Sequence, residues 1–301
     1  GGDNLFLCSI LALKPDTGEY VWHYQEVPAE TWDYTATQTI VLADIDWQGK
    51  TRKVLMQAPK AGFFYILDRE TGELLSAEPY AKKVTWASHY DMETGRPVEV
   101  EGQDYTAAPA MVYPVGLGAH NWHPMSYSPD TGLMYIPAQH IGGELKQEDN
   151  YQRYPRHWNT GVVTSVDMHN AALSQTLLKT FVEGYLLAWD PIKQQVAWTA
   201  DHQTIGNGGT LSTAGNLVFQ GTVDGSFKAF NAKNGEQLWR FNTQNGIVGS
   251  PISYRVDDQQ FITVPAGRGG GLSQIIGIQH EVTHVNGRIL AFTLTGSESL
   301  P

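Results

Sequence analysis

The chain has 301 residues, with 20 Lys and Arg against 31 Asp and Glu, for a formal net charge of −11. Phosphate binding rests on clustered cations, so this balance speaks against nucleic acid as a partner. No apolar run approaches the ~18 residues of a membrane span, while 9 Trp, 14 Tyr and 10 Phe supply enough apolar surface for a substantial core.

The chain opens on Gly1, Gly2, Asp3 and Asn4, without a Met or a secretory leader, and stops at Pro301 just after an apolar stretch. We read it as a fragment or a processed chain. The single Cys8 excludes an internal disulfide and a cysteine-based metal cluster. Short apolar, aromatic and β-branched runs at 54–56, 63–67, 133–137, 217–221 and 261–265 are predicted strands. Asp-Thr-Gly, Glu-Thr-Gly and Asn-Gly turns at 16–18, 70–72, 93–95, 130–132, 234–235 and 286–287 suit tight connections between antiparallel strands. Long helical periodicity is scarce, and one short helix is predicted near 170–178.

Internal repeats indicate the architecture. Segments 12–22, 188–198 and 229–239 align without gaps, each running from an Ala through a polar turn to a Trp ten residues later (Trp22, Trp198, Trp239). The second and third copies are 41 residues apart, close to the ~40–45 residues of one four-stranded propeller blade. Segment 65–72 is a weaker copy without the Trp, and 289–296 is a further, truncated one. Gly18 and Gly235 suit a left-handed turn position in the first and third copies. A small Ala leaves room for a Trp of the neighbouring unit, so each copy docks on the next. The expected fold is all-β, a β-propeller with tryptophan-docking repeats. About five blades fit in 1–301, read as one partial propeller domain, because closed rings use up to ~8. The plainer reading, a meander with chance matches, is opposed by three ungapped copies.

Two residues stand out chemically. Asp33 lies between Trp32 and Tyr34, a partly apolar setting that raises a carboxylate pKa or suits a hard cation. Lys60, in Ala58-Pro59-Lys60, precedes the apolar run at 63–67 and can point into a central funnel. Taken alone, such an Asp is more often a turn residue and such a Lys a solvated one.

Together with Gly2-Asp3-Asn4-Leu5, the motifs Trp22-His23-Tyr24-Gln25, Glu30-Thr31-Trp32-Asp33-Tyr34, Ala58-Pro59-Lys60, 62–69, 208–211 and 214–221 strongly resemble the quinoprotein alcohol dehydrogenases. These are PQQ-dependent, eight-bladed propellers related to methanol dehydrogenase. The resemblance covers the whole chain and the C-terminal half or so of the family's catalytic domain. It implies that Asp33 is the catalytic base that takes the alcohol's proton and is a ligand of Ca²⁺. It implies that Lys60 binds the ortho-quinone oxygens of PQQ, and that Asn121 and Asn207 contact the same cofactor. Thr35 stands where lanthanide-using relatives carry an extra Asp, which points to Ca²⁺. Gly206 and Arg268 stand where relatives carry Trp, so the pocket has lost aromatic bulk.

Further expectations rest on the same resemblance. The upstream half of the propeller would bring a calcium-binding Glu and Asn, a vicinal disulfide and a stacking Trp. No Cys-x-x-Cys-His haem signature occurs in this sequence. The expected reaction converts a primary or secondary alcohol to an aldehyde or ketone. Electrons would pass to a cytochrome c-type acceptor, and the compartment would be the periplasm. His280-Glu281-Val282-Thr283-His284 matches a zinc-protease pattern, but β-branched residues and a following turn oppose the helix it needs. His120 and His123 read as structural or cofactor-side residues. The rival function is a non-catalytic propeller scaffold, which would not combine Asp33, Lys60 and Asn121 at this spacing.

Overall fold

A computed structural model describes residues 2–156, 159–164, 182–202, 204–267 and 286–300. Strand follows strand, with no helix among the described residues. A two-stranded sheet, β1 (Ser9–Leu13) and β2 (Tyr20–Gln25), comes first. A four-stranded meander follows: β3 (Val41–Trp47), β4 (Lys50–Gln57), β5 (Phe63–Asp68) and β6 (Leu74–Pro79). A hairpin, β7 (Ala87–Asp91) and β8 (Arg96–Glu99), and β9 (Ala110–Val112) lie between this blade and the next.

The next blade is β10 (Ser126–Ser128), β11 (Leu133–Ile141), β14 (Val182–Asp190) and β15 (Gln195–His202). Inserted between β11 and β14 are β12 (Gly143–Gln147) and β13 (Val162–Thr164), which pair with β9 in a separate sheet. A third complete blade is β16 (Thr210–Thr213), β17 (Leu217–Gly221), β18 (Ser226–Asn231) and β19 (Gln237–Asn242). The last sheet has three strands, β20 (Ile252–Val256), β21 (Gln259–Ala266) and β22 (Arg288–Phe292). Three full blades and two partial ones give the five units expected. The predicted helix near 170–178 and the His280–His284 motif lie outside the described residues.

The core lies between blades, which is why the predicted strands are continuous apolar runs. Side chains alternate along a strand, so β5 sends Phe63, Tyr65 and Leu67 into one cluster and Phe64 and Ile66 into the next. β11 likewise gives Met134, Ile136 and Ala138 to the cluster shared with β5, and Leu133 and Tyr135 to the cluster shared with the β16–β19 blade.

The repeats dock in register. Ala12, Ala188 and Ala229 pair directly with Trp22, Trp198 and Trp239 across their strands. In the first two of these repeats the Trp ring rests on the turn glycine of the next copy rather than on an alanine. A Cβ on Gly72 would lie 2.8 Å from the Trp22 ring, and one on Gly235 would lie 2.5 Å from the Trp198 ring. Trp198 Nε1 also donates to the Ala232 carbonyl at 3.0 Å. Those glycines sit at φ +80° and +74°, while Gln194 takes the same left-handed position at φ +54° in the copy that has no glycine there.

Antiparallel alternation decides where the functional loops fall. The entry to β3 and the β4–β5 turn share one end of their blade, and the entry to β10 shares an end with the exit of β11. The entry to β16 and the β17–β18 turn do the same. Residues 26–40, 58–62, 113–125 and 204–209 therefore converge on one face of the propeller.

Candidate functional site

Asp33 is presented by the loop between β2 and β3. Trp32 and Tyr34 on either side point inward, buried and stacked with ring centroids 5.6 Å apart. Trp86 closes the aromatic nest, 5.1 Å from Trp32 and 5.5 Å from Tyr34. Each of these rings has a polar anchor: Trp32 Nε1 donates to Gln103 O at 2.7 Å, Trp86 Nε1 donates to Ala61 O at 2.9 Å, and the Tyr34 hydroxyl donates to Pro114 O. With both neighbours fixed inward, Asp33 is turned outward at φ +68°, its side chain 71% exposed. Such a conformation costs an L-residue energy and persists only where its surroundings enforce it.

The surroundings do so. Glu30 Oε1 accepts the Tyr34 amide at 2.7 Å, and Cys8 Sγ donates to the Tyr34 carbonyl at 2.6 Å. Gly116 faces Asp33, and a Cβ there would come within 3.2 Å of Asp33 Cβ and 3.0 Å of the Trp32 carbonyl. Burial raises the Glu30 pKa, and the Asp33 charge adds to that, while the Tyr34 and Trp32 amides and Lys60 oppose it.

Lys60 enters from the β4–β5 turn. Its ammonium donates to the Asp33 carbonyl at 2.8 Å and lies 3.3 Å from Asp33 Oδ1, with the side chain only 9% exposed. Its stem is covered by Gly118, at φ +78°, where any Cβ would fall 2.5 Å from Lys60 Cγ. The structure thus joins Asp33 and Lys60 across 27 residues of sequence into one ion pair.

Asn121 sits on the neighbouring loop. Its Nδ2 donates to Leu117 O at 2.9 Å and its Oδ1 accepts the Trp122 amide at 2.8 Å, leaving one N–H uncommitted among the described contacts. Trp122 is half exposed beside it. Asn207 is buried, and its amide is engaged on both sides. Oδ1 accepts Thr204 Oγ1 at 2.7 Å and the Val223 amide at 3.2 Å, and Nδ2 donates to Thr204 O at 2.5 Å. Neither Asn121 nor Asn207 shows a hydrogen bond to the Asp33–Lys60 pair.

His120 is fully buried, with Nδ1 2.7 Å from Ala58 O and Nε2 2.6 Å from His123 O. It ties the loop of Lys60 to the loop of Asn121, and burial holds its pKa below the usual histidine value. Burial also pushes His123 down to about 3. No group of three or more His, Cys, Asp or Glu suited to a metal occurs among the described residues. Sequence reasoning missed Gly116, Gly118 and Gln139. A polar Gln inside the apolar run of β11 was the one signal for the last.

Comparisons with known proteins identify the family. The family model "PQQ: Glucose/ethanol/alcohol dehydrogenase, beta-propeller domain" matches residues 1–79 and 161–262. The chain is 48% identical to quinohemoprotein alcohol dehydrogenase ADH IIB of Pseudomonas putida, over all of this chain and 43% of that protein. It is 42% identical to 1-butanol dehydrogenase (cytochrome c) of Thauera butanivorans, again over all of this chain and 43% of that one. Among solved structures, it superimposes on quinohemoprotein alcohol dehydrogenase ADHIIG of Pseudomonas putida with a TM-score of 0.92 at 44% identity, covering 99% of this chain and 45% of that one. A europium-containing methanol dehydrogenase gives a TM-score of 0.80 at 27% identity, covering 98% of this chain and 54% of that one. The chain thus spans less than half the length of the curated relatives it matches.

Proposed function

The chain belongs to the PQQ-dependent dehydrogenase β-propeller family, and from that footing we propose that it forms part of an enzyme oxidising a primary or secondary alcohol to an aldehyde or ketone. The observation that carries this reading is the Asp33–Lys60 pair, a buried ammonium held against an exposed carboxylate where the loops converge. The Lys60 ammonium and the free Asn121 N–H are donors that fit the oxygens of a quinone carrying several carboxylates, and the Asp33 carboxylate offers oxygens to a cation beside it. PQQ supplies the quinone that accepts a hydride, and a bound Ca²⁺ supplies Lewis-acid polarisation of a carbonyl.

The roles of the chain's own residues follow. Asp33 takes the hydroxyl proton of the alcohol at its exposed carboxylate. Lys60 stabilises negative charge developing on an acceptor oxygen, and burial strengthens that interaction. Asn121 offers its remaining N–H to the cofactor, and Asn207 shapes the wall with its backbone. Asp33 would be one oxygen ligand of Ca²⁺, with the rest of the shell coming from residues outside these 301. Thr35 adds no carboxylate next to Asp33, which suits Ca²⁺ rather than a lanthanide. The acceptor would be a cytochrome c-type protein and the compartment the periplasm. The likeness to 1-butanol dehydrogenase (cytochrome c) supports the acceptor.

The test is Asp33→Asn in the full-length polypeptide. Dye-linked alcohol oxidation should fall at least ~100-fold, the scale of general-base catalysis, with PQQ still bound. An unchanged rate would overturn the assignment and favour a propeller that binds without catalysis.

A further inference from the structure

Gln139 stands near the end of β11, on the face where the functional loops converge, and its side chain is buried. A buried amide in an apolar strand is costly unless every polar atom is bonded. Here each is. Nε2 donates to Gly118 O at 2.8 Å and to Leu117 O at 3.2 Å, and Oε1 accepts the Gly206 amide at 3.2 Å. The Gln139 backbone amide donates to Ala119 O at 2.8 Å.

Each of these contacts leads to a residue of the site. Gly118 packs on the stem of Lys60, and the Ala119 amide donates to Lys60 O at 3.0 Å. Leu117 O also receives Asn121 Nδ2. Gly206 immediately precedes Asn207 and is in the left-handed region at φ +66°. Opposite Gln139 in the sheet is Gly184, where a Cβ would fall 1.8 Å from Thr204 O, so this glycine lets the Asn207 loop lie flat on β14.

We infer that Gln139 is a positioning residue: its amide locks the loops of Lys60, Asn121 and Asn207 into one wall and so fixes the Lys60 ammonium where a quinone oxygen would be held. This rests on the PQQ reading above. At metal sites, outer-shell partners that orient a ligand control affinity by ~10–100-fold, and the same scale is expected for Gln139.

The experiment is a double-mutant cycle in the full-length polypeptide, reading the Kd for PQQ by quenching of tryptophan fluorescence at fixed Ca²⁺, and the unfolding midpoint of the PQQ-free protein. Gln139→Met should weaken PQQ binding about tenfold or more in the wild-type background and less than about twofold in a Lys60→Met background, because coupled residues are not additive. A residue that merely stabilises the fold would give equal losses in both backgrounds, and that result overturns the inference, as does an unchanged Kd for Gln139→Met. If Gln139→Met does not fold, Gln139→Glu keeps the acceptor for Gly206 and removes the donor, and the same criteria apply to it. A wild-type protein that does not bind PQQ, or a Lys60→Met variant that binds it as tightly as wild type, overturns the PQQ reading itself and the inference with it.

Discussion

Glu26 is a buried carboxylate without a hydrogen-bond partner on either oxygen. It follows β2, with its backbone amide on Cys8 O at 2.9 Å and its carbonyl accepting the Tyr90 hydroxyl at 2.6 Å. Burial raises its pKa from 4.5 to about 8. Between those two values the unfolded chain has released the proton and the folded chain retains it, so stability falls as pH rises across that window. One pH unit is worth ~1.4 kcal/mol, which makes the loss between pH 5 and pH 8 about 3–4 kcal/mol, out of a ceiling of about 5 kcal/mol set by the whole shift. Glu26→Gln keeps the shape and cannot ionise. Its stability gain over wild type should be small at pH 5 and larger by about 3–4 kcal/mol at pH 8, measured by urea unfolding at the two pH values. Equal gains at both would show that Glu26 is already ionised or solvated in the folded protein, and would refute the reasoning.

Trp198→Ala removes a ring seated on Gly235 and a hydrogen bond to Ala232; it should cost about 3 kcal/mol, the lower end of the range for large-to-small changes because the ring is half-buried, read from the same unfolding curves. Cys8 is buried, donates to Tyr34 O, and has its thiol pKa raised by burial, with Glu26 and Glu30 adding to the shift. A maleimide should therefore leave Cys8 unlabelled in the native protein and label it in denaturant, read by peptide mass spectrometry. His202 is pushed down to about 4 by burial, with the Lys228 ammonium, 3.3 Å from its Nδ1, as the next cause. Lys228→Met should raise that pKa in an NMR titration, and an unmoved value would mean that burial alone sets it.

Repeat architecture was legible because it is written in residue size. Ala and Trp must face each other across a strand pair for the ring to reach the next blade, and that fixes their spacing. The seat of the ring was misread, since the Ala is the cross-strand partner while the turn glycine of the following copy receives the Trp. A turn glycine reads equally well as a conformational necessity, and Gly72 and Gly235 serve both purposes. The β7–β8 hairpin and the β9–β12–β13 sheet were not foreseen. They carry no repeat, and their strands of three to five residues are too short for a periodic signal.

The site divides along a similar line. Asp33 and Lys60 announce themselves because a charge amid aromatics or beside Pro and Gly is unusual in sequence. Their pairing needs the blade geometry, which sets the β2–β3 connection between blades beside the β4–β5 turn within one. Asn207 looks in sequence like a ligand-facing amide, yet its hydrogen bonds run to Thr204 and Val223. Residues that hold a site have their polar atoms turned into the protein, so they leave only a polar residue where the pattern calls for an apolar one. Gln139 in β11 and Glu26 beside β2 are both such breaks, with opposite meanings. Gln139 has every side-chain polar atom bonded, and its cost is offset by the order it imposes on three loops. Glu26 has both oxygens unpaired and is tolerated by keeping its proton. Counting hydrogen-bond partners therefore separates a positioning residue from a stability liability where burial alone does not.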